Sequence, residues 1–140
     1  MLRIAQALLM ATALGWAMAA AAEDAAKIPL ELNRLEQDGD TCRVYLLVKN
    51  PDASSMDAFK LDVVFFDKEG VIRNRLYVEL GPLAARKTAV RLFDVPGSTC
   101  ASFGSLLVND VVTCADANGA KLDCLKRLEL SSRTDAKLQY

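Results

Sequence analysis

Apolar and polar residues alternate along most of this chain, with the two-residue period of β-strands. Ile28, Leu30 and Leu32 open the pattern. Cys42, Val44, Leu46 and Val48 then share one face of a strand, while Arg43, Tyr45, Leu47 and Lys49 share the other. Asn50-Pro51-Asp52 ends that strand, and the residues as far as Ser55 form a loop. Phe59, Leu61, Val63 and Phe65 make the next inward face, opposite Lys60, Asp62, Val64 and Phe66. Asp67-Lys68-Glu69-Gly70 is a tight turn whose Gly accepts a positive φ. Ile72 to Leu80 returns, with Leu76, Val78 and Leu80 on one side, and Gly81-Pro82 breaks it. Thr88 to Phe93 is another short strand, closed by Val95-Pro96-Gly97.

A further strand spans about Ser105 to Cys114, with Leu106, Val108 and Val112 inward. Asp110 falls on that same face, so either the register shifts there or the carboxylate has a partner. Asp116-Ala117-Asn118-Gly119 carries the Asn-Gly pair of a hairpin, which predicts a partner strand from Ala120 to about Leu125. Lys126 to Leu130 fits a strand or a helical turn. Ser131 to Tyr140 is polar and reads as a loose tail, in which Leu138 and Tyr140 are able to dock. About seven short strands at hairpin spacing, with no helical period, predict an all-β, immunoglobulin-like sandwich of antiparallel strands.

The leader alters the setting of that domain. Arg3, the apolar run Ile4 to Ala19 and Ala20-Ala21-Ala22 have the layout of a secretory signal cleaved before Glu23. Residues 1–22 are thus a signal peptide and 23–140 a single domain, the alternative being an uncleaved anchor. No Arg-Arg pair precedes the apolar run, which favours the general secretion route, and no Cys at its end offers a lipid anchor. The expected location is the periplasm, with no membrane span once the signal is removed. The leader takes away one of the 17 Lys and Arg, Arg3, and none of the 18 Asp and Glu, so the net charge moves only from −1 to −2. Such a balance supplies no basic field for a phosphate backbone, and nucleic acid is not an expected partner.

All four cysteines follow the leader, where disulfides persist. Cys114 and Cys124 flank the Asn118-Gly119 turn almost symmetrically, which predicts their bridge. Cys42 and Cys100 then pair by elimination. No C-x-x-C spacing suggests redox catalysis or a thiolate zinc site. There is no histidine, which removes the Ser-His-Asp and Cys-His recipes and any imidazole metal ligand. Asp38-Gly39-Asp40, Asp67 to Gly70 and Asp116 to Gly119 are acidic turns; the last lacks the later Glu of a calcium loop. No enzyme activity, cofactor or metal is expected.

The unusual residues are apolar ones in outward phase. Tyr45, Leu47, Val64, Phe66 and Tyr77 alternate with the inward sets, and adjacent strands are expected to gather them into one exposed partner-binding patch. The competing expectation is that the C-terminal tail or the 50–58 loop covers them. Arg73, Arg75, Arg86, Lys87 and Arg91 form the main basic group, expected to be a solvated strand face.

The stretch "LDVVFFDKEGVIRNRLYVELGPLAARKTAVRLF", residues 61–93, resembles the FxLYD-type immunoglobulin-like bacterial domains. Together with it, "IPLELNRLEQDGDTCRVYLLVKN", "GSLLVNDVVTCAD" and "SSRT" resemble a family of small exported alphaproteobacterial proteins, commonly labelled Tat pathway signal sequence domain proteins. That resemblance covers nearly the whole chain beyond the leader. It implies an exported immunoglobulin-like domain and transfers no activity. The expected function is a non-enzymatic periplasmic interaction module, an accessory subunit of a cell-envelope complex bound to another envelope protein. The alternative is a sandwich that binds a small ligand.

Overall fold

The computed structural model describes residues 25–140; the leader and its cleavage site lie outside the described residues. Eight strands fold into two packed sheets. They are β1 (Ile28–Asp38), β2 (Thr41–Lys49), β3 (Met56–Asp67), β4 (Ile72–Glu79), β5 (Thr88–Pro96), β6 (Phe103–Asp116), β7 (Leu128–Ser132) and β8 (Lys137–Gln139). The first sheet has the order β5-β2-β1-β7, the second β4-β3-β6-β8. The first, second and fifth strands in one sheet, with the third and sixth in the other, follow the immunoglobulin-like distribution. All pairings are antiparallel except the last two: β7 runs parallel to β1, and β8 parallel to β6.

The alternating faces meet in the middle. Leu30, Leu32, Val44 and Val48 of the first sheet bury against Phe59, Leu61, Phe65 and Leu106 of the second. Phe65 anchors this core, with its ring centroid 5.1 Å from Phe103 and 6.2 Å from Phe93. Gly104 lies so close to the turn after β3 that a Cβ there would stand 2.6 Å from the Asp67 carbonyl oxygen, so that position needs glycine.

β-Bulges decide which face several residues take, because one extra residue inverts the alternation beyond it. In β6 the register shifts around Asn109 and again around Val112. Asp110 therefore turns out to solvent, as a register shift would require. Val112 does not reach the inner face; Val111 takes its place against Leu61 while Val112 stays exposed.

The hairpin after β6 starts as expected and then diverges. Asp116 accepts the Asn118 and Ala120 amides, each at 2.9 Å, and Ala115 bridges Lys121. The expected partner strand from Ala120 to about Leu125 does not form: Asp123 adopts φ +47° and starts a one-turn helix, α1 (Cys124–Arg127). The Arg127 guanidinium explains the diversion. It is buried, gripping both Asp52 oxygens at 2.6 and 3.1 Å and the Ala26 carbonyl at 2.9 Å. Both disulfides form as expected, Cys42–Cys100 and Cys114–Cys124. The last ten residues are not a loose tail: Ser131 and Ser132 end β7, Ala136 is buried, and Leu138 packs on the core within β8. Tyr140 remains exposed. No helix among the described residues is long and apolar enough to cross a membrane.

Candidate functional site

The five outward residues do not form one patch. β2 and β3 are consecutive in sequence but belong to different sheets, so their outer faces point in opposite directions. Tyr45 and Leu47 lie on the outer face of the first sheet. Val64, Phe66 and Tyr77 lie on the outer face of the second. Val64 is itself buried, flanked by Arg75 on β4 and Leu107 on β6. The tail covers neither face, since β8 runs along the edge of the second sheet. The 50–55 loop is tied at one end of the sandwich, where the Asn50 side-chain amide donates to the Ser54, Leu83 and Ala84 carbonyls.

On the second sheet, cross-strand neighbours build the site in rows. Ile72 lies beside Phe66, Arg75 beside Val64, and Tyr77 beside Asp62. Strict alternation would put Ile72 inward with Leu76 and Val78. The bulge between Phe65 and Phe66 turns it outward instead, and it is 60% exposed. Tyr77 is 65% exposed. Between them stands Arg75, whose guanidinium donates two bonds to Asp62, at 2.8 and 2.7 Å. The Asn109 amide donates to the same carboxylate at 2.7 Å. Arg75 holds the Asp62 carboxyl below its usual range, with Asn109 adding to the effect against the cost of burial. Arg75 also lies 6.0 Å from the Tyr77 ring centroid, at the limit of a cation–π contact. The result is a fixed arginine between an exposed aromatic and an exposed aliphatic side chain.

Several other charged groups are held within the fold. Asp67 accepts the Glu69 and Val71 amides and the Arg73 guanidinium, which keep its carboxyl low; the Val71 amide is the largest cause. Arg91 donates to the Leu80, Val90 and Pro82 carbonyls. Arg86 reaches the Pro51 carbonyl. The basic residues grouped in sequence are thus spent separately. No group of three metal-ligating side chains gathers among the described residues. Open depressions of about 460 Å³ lie at the rim, one lined by Asp67, Arg73, Asn74 and Ser98, another by Asp110, Lys121 and Asp123. Between the sheets, where a small ligand would be enclosed, the fully buried side chains of Phe59, Leu61 and Leu106 stand.

Ile72, Val90 and Leu92 are the residues that pattern alone missed. The bulge hides Ile72. Val90 and Leu92 are exposed while the alternating Arg91 points inward, so polarity gives the wrong face for β5. Their register partners supply the signal: Val90 lies opposite Leu47, and Leu92 opposite Tyr45. No protein-family model matches the chain, and neither a curated protein nor a solved structure does.

Proposed function

We propose that this chain is a non-enzymatic periplasmic interaction module, an accessory subunit of a cell-envelope complex. Its partner is another envelope protein, held on the outer face of the second sheet by Ile72, Phe66, Arg75 and Tyr77. One observation carries this reading: an arginine held by a buried carboxylate sits between two side chains that are mostly in solvent. Tyr and Arg are enriched at the centres of protein interfaces, and a side chain fixed beforehand loses less entropy on binding. The two disulfides and the resemblance to small exported proteins support the periplasmic half of the reading. The acidic turns at Asp67 and Asp116 are bound by backbone amides, which favours contact over acid–base chemistry there.

The test is affinity recovery from cross-linked envelope fractions, using the full chain and an Ile72→Asp/Tyr77→Asp variant. Both positions are exposed, so the variant is expected to keep the wild-type melting temperature within a few degrees. The wild type should recover one dominant protein in near-stoichiometric amount, and the variant should lose it. Equal recovery by both, or none above background, rejects the site.

A further inference from the structure

We propose that the outer face of the first sheet binds a second copy of this chain, forming a twofold dimer. The inference rests on a different face from the partner site and stands independently of it. Tyr45, Leu47, Val90 and Leu92 form a continuous apolar strip across β2 and β5, set by the register of those strands. Val90 and Leu92 are 55% and 58% exposed.

The border of the strip identifies the occupant. Its charges are already paired within the chain. Glu31 meets Arg133 at 3.1 Å, Arg34 meets Glu36 at 2.6 Å, and Arg43 meets Asp94 at 2.8 Å with Asp38 at 3.6 Å. Arg34 also lies 5.8 Å from the Tyr45 ring centroid. Further out the face carries Lys49 and Glu129, one of each sign. With five carboxylates against four cations, this border is nearly balanced and has little net field with which to select an acidic or a basic protein. Its complement is a surface apolar in the middle, with charges largely paired among themselves around it. The same face on another copy meets that description, and a twofold axis sets like against like by symmetry.

The contact is face to face and not an extension of the sheet. β5 is an edge strand, but its inward Arg91 is bound to the Leu80 and Pro82 carbonyls at that edge. An inward charge on an edge strand opposes the addition of another strand. A four-stranded face nine residues long measures about 600 Å². That falls below the roughly 800 Å² per partner of a standard interface, so the dimer should be weak and concentration-dependent.

Sedimentation velocity over roughly 1–200 µM, a range that brackets a weak interface, tests this on the exported protein purified after expression of the full chain. The wild type should pass from monomer to dimer, and raising the salt should leave the affinity within about twofold, since no charge attraction crosses the border. Val90→Asp/Leu92→Asp should weaken dimerisation by at least about 30-fold while melting like the wild type, because a charge buried without a partner opposes association. Ile72→Asp/Tyr77→Asp, on the opposite face, should dimerise normally. A wild type that stays monomeric throughout overturns the proposal. So does a dimer that survives Val90→Asp/Leu92→Asp, or one abolished by the opposite-face variant.

Discussion

Asp62 lies on the outer face of a sheet, yet only 3% of it reaches solvent. Arg75 and Asn109 make that position tolerable by satisfying both carboxylate oxygens. Asp67, Asp94 and Glu31 have the same property: each carboxyl is held below its ordinary value, chiefly by the Val71 amide, by Arg43, and by Asn33 with Arg133, respectively. Unfolded carboxyls titrate near pH 4. The folded values are lower, so these groups stabilise the protein fully above about pH 4, and the contribution is lost as the pH falls through the folded values. Thermal unfolding followed by circular dichroism should therefore show a melting temperature that drops steeply below about pH 4, and Asp62→Asn should flatten that drop. An unchanged pH profile in the variant would contradict the role given to Arg75. In the core, Phe65→Ala removes a fully buried ring that touches Phe93 and Phe103, and should cost about 3–5 kcal/mol in urea unfolding. Phe65 was legible as inward from alternation alone. The burial of Val64 was not, because an outward side chain is covered by its strand neighbours, and the neighbours follow from pairing, which a single strand does not reveal.

At the scale of elements, the sequence locates the first six strands, since their alternation is regular and their turns carry Asp, Asn or Gly. What it hides are the bulges. One shift in β4 exposes Ile72, and two in β6 exchange Val111 for Val112. The chain beyond Asn118-Gly119 shows a second limit: the turn forms, but the buried Arg127 pair with Asp52 draws the chain into α1. The two ends of that ion pair are 75 residues apart, so no local pattern announces it. The disulfide expectation survived this error because the two cysteines need proximity and not a ladder. The bridges differ in the chain they close, with sequence separations of 58 for Cys42–Cys100 and 10 for Cys114–Cys124. In the chain-entropy model their removal costs about 4 and about 3 kcal/mol. Guanidinium unfolding of the two paired Cys→Ser variants should rank them in that order, with Cys42→Ser/Cys100→Ser the less stable. The opposite order would show that enthalpic terms outweigh loop closure.

For the whole molecule, what matters is that the two outer faces point apart. The alternation identified outward apolar residues, and the sheet assignment then divided them, because β2 and β3 lie in different sheets. The division gives the protein two surfaces of different character. The second sheet presents single exposed anchors around a fixed arginine; the first presents a broader strip inside a nearly balanced border. An accessory subunit that meets another protein on one face and its own copy on the other would present two partner sites per dimer. The most direct measurement of the central claim is site-specific photo-cross-linking in intact cells, with a photoreactive residue at position 77 and, separately, at the exposed position 117 in the turn after β6. Position 77 should give one discrete heterologous adduct, lost on Ile72→Asp, and position 117 none. No adduct at 77, or the same adduct from both positions, would contradict that claim.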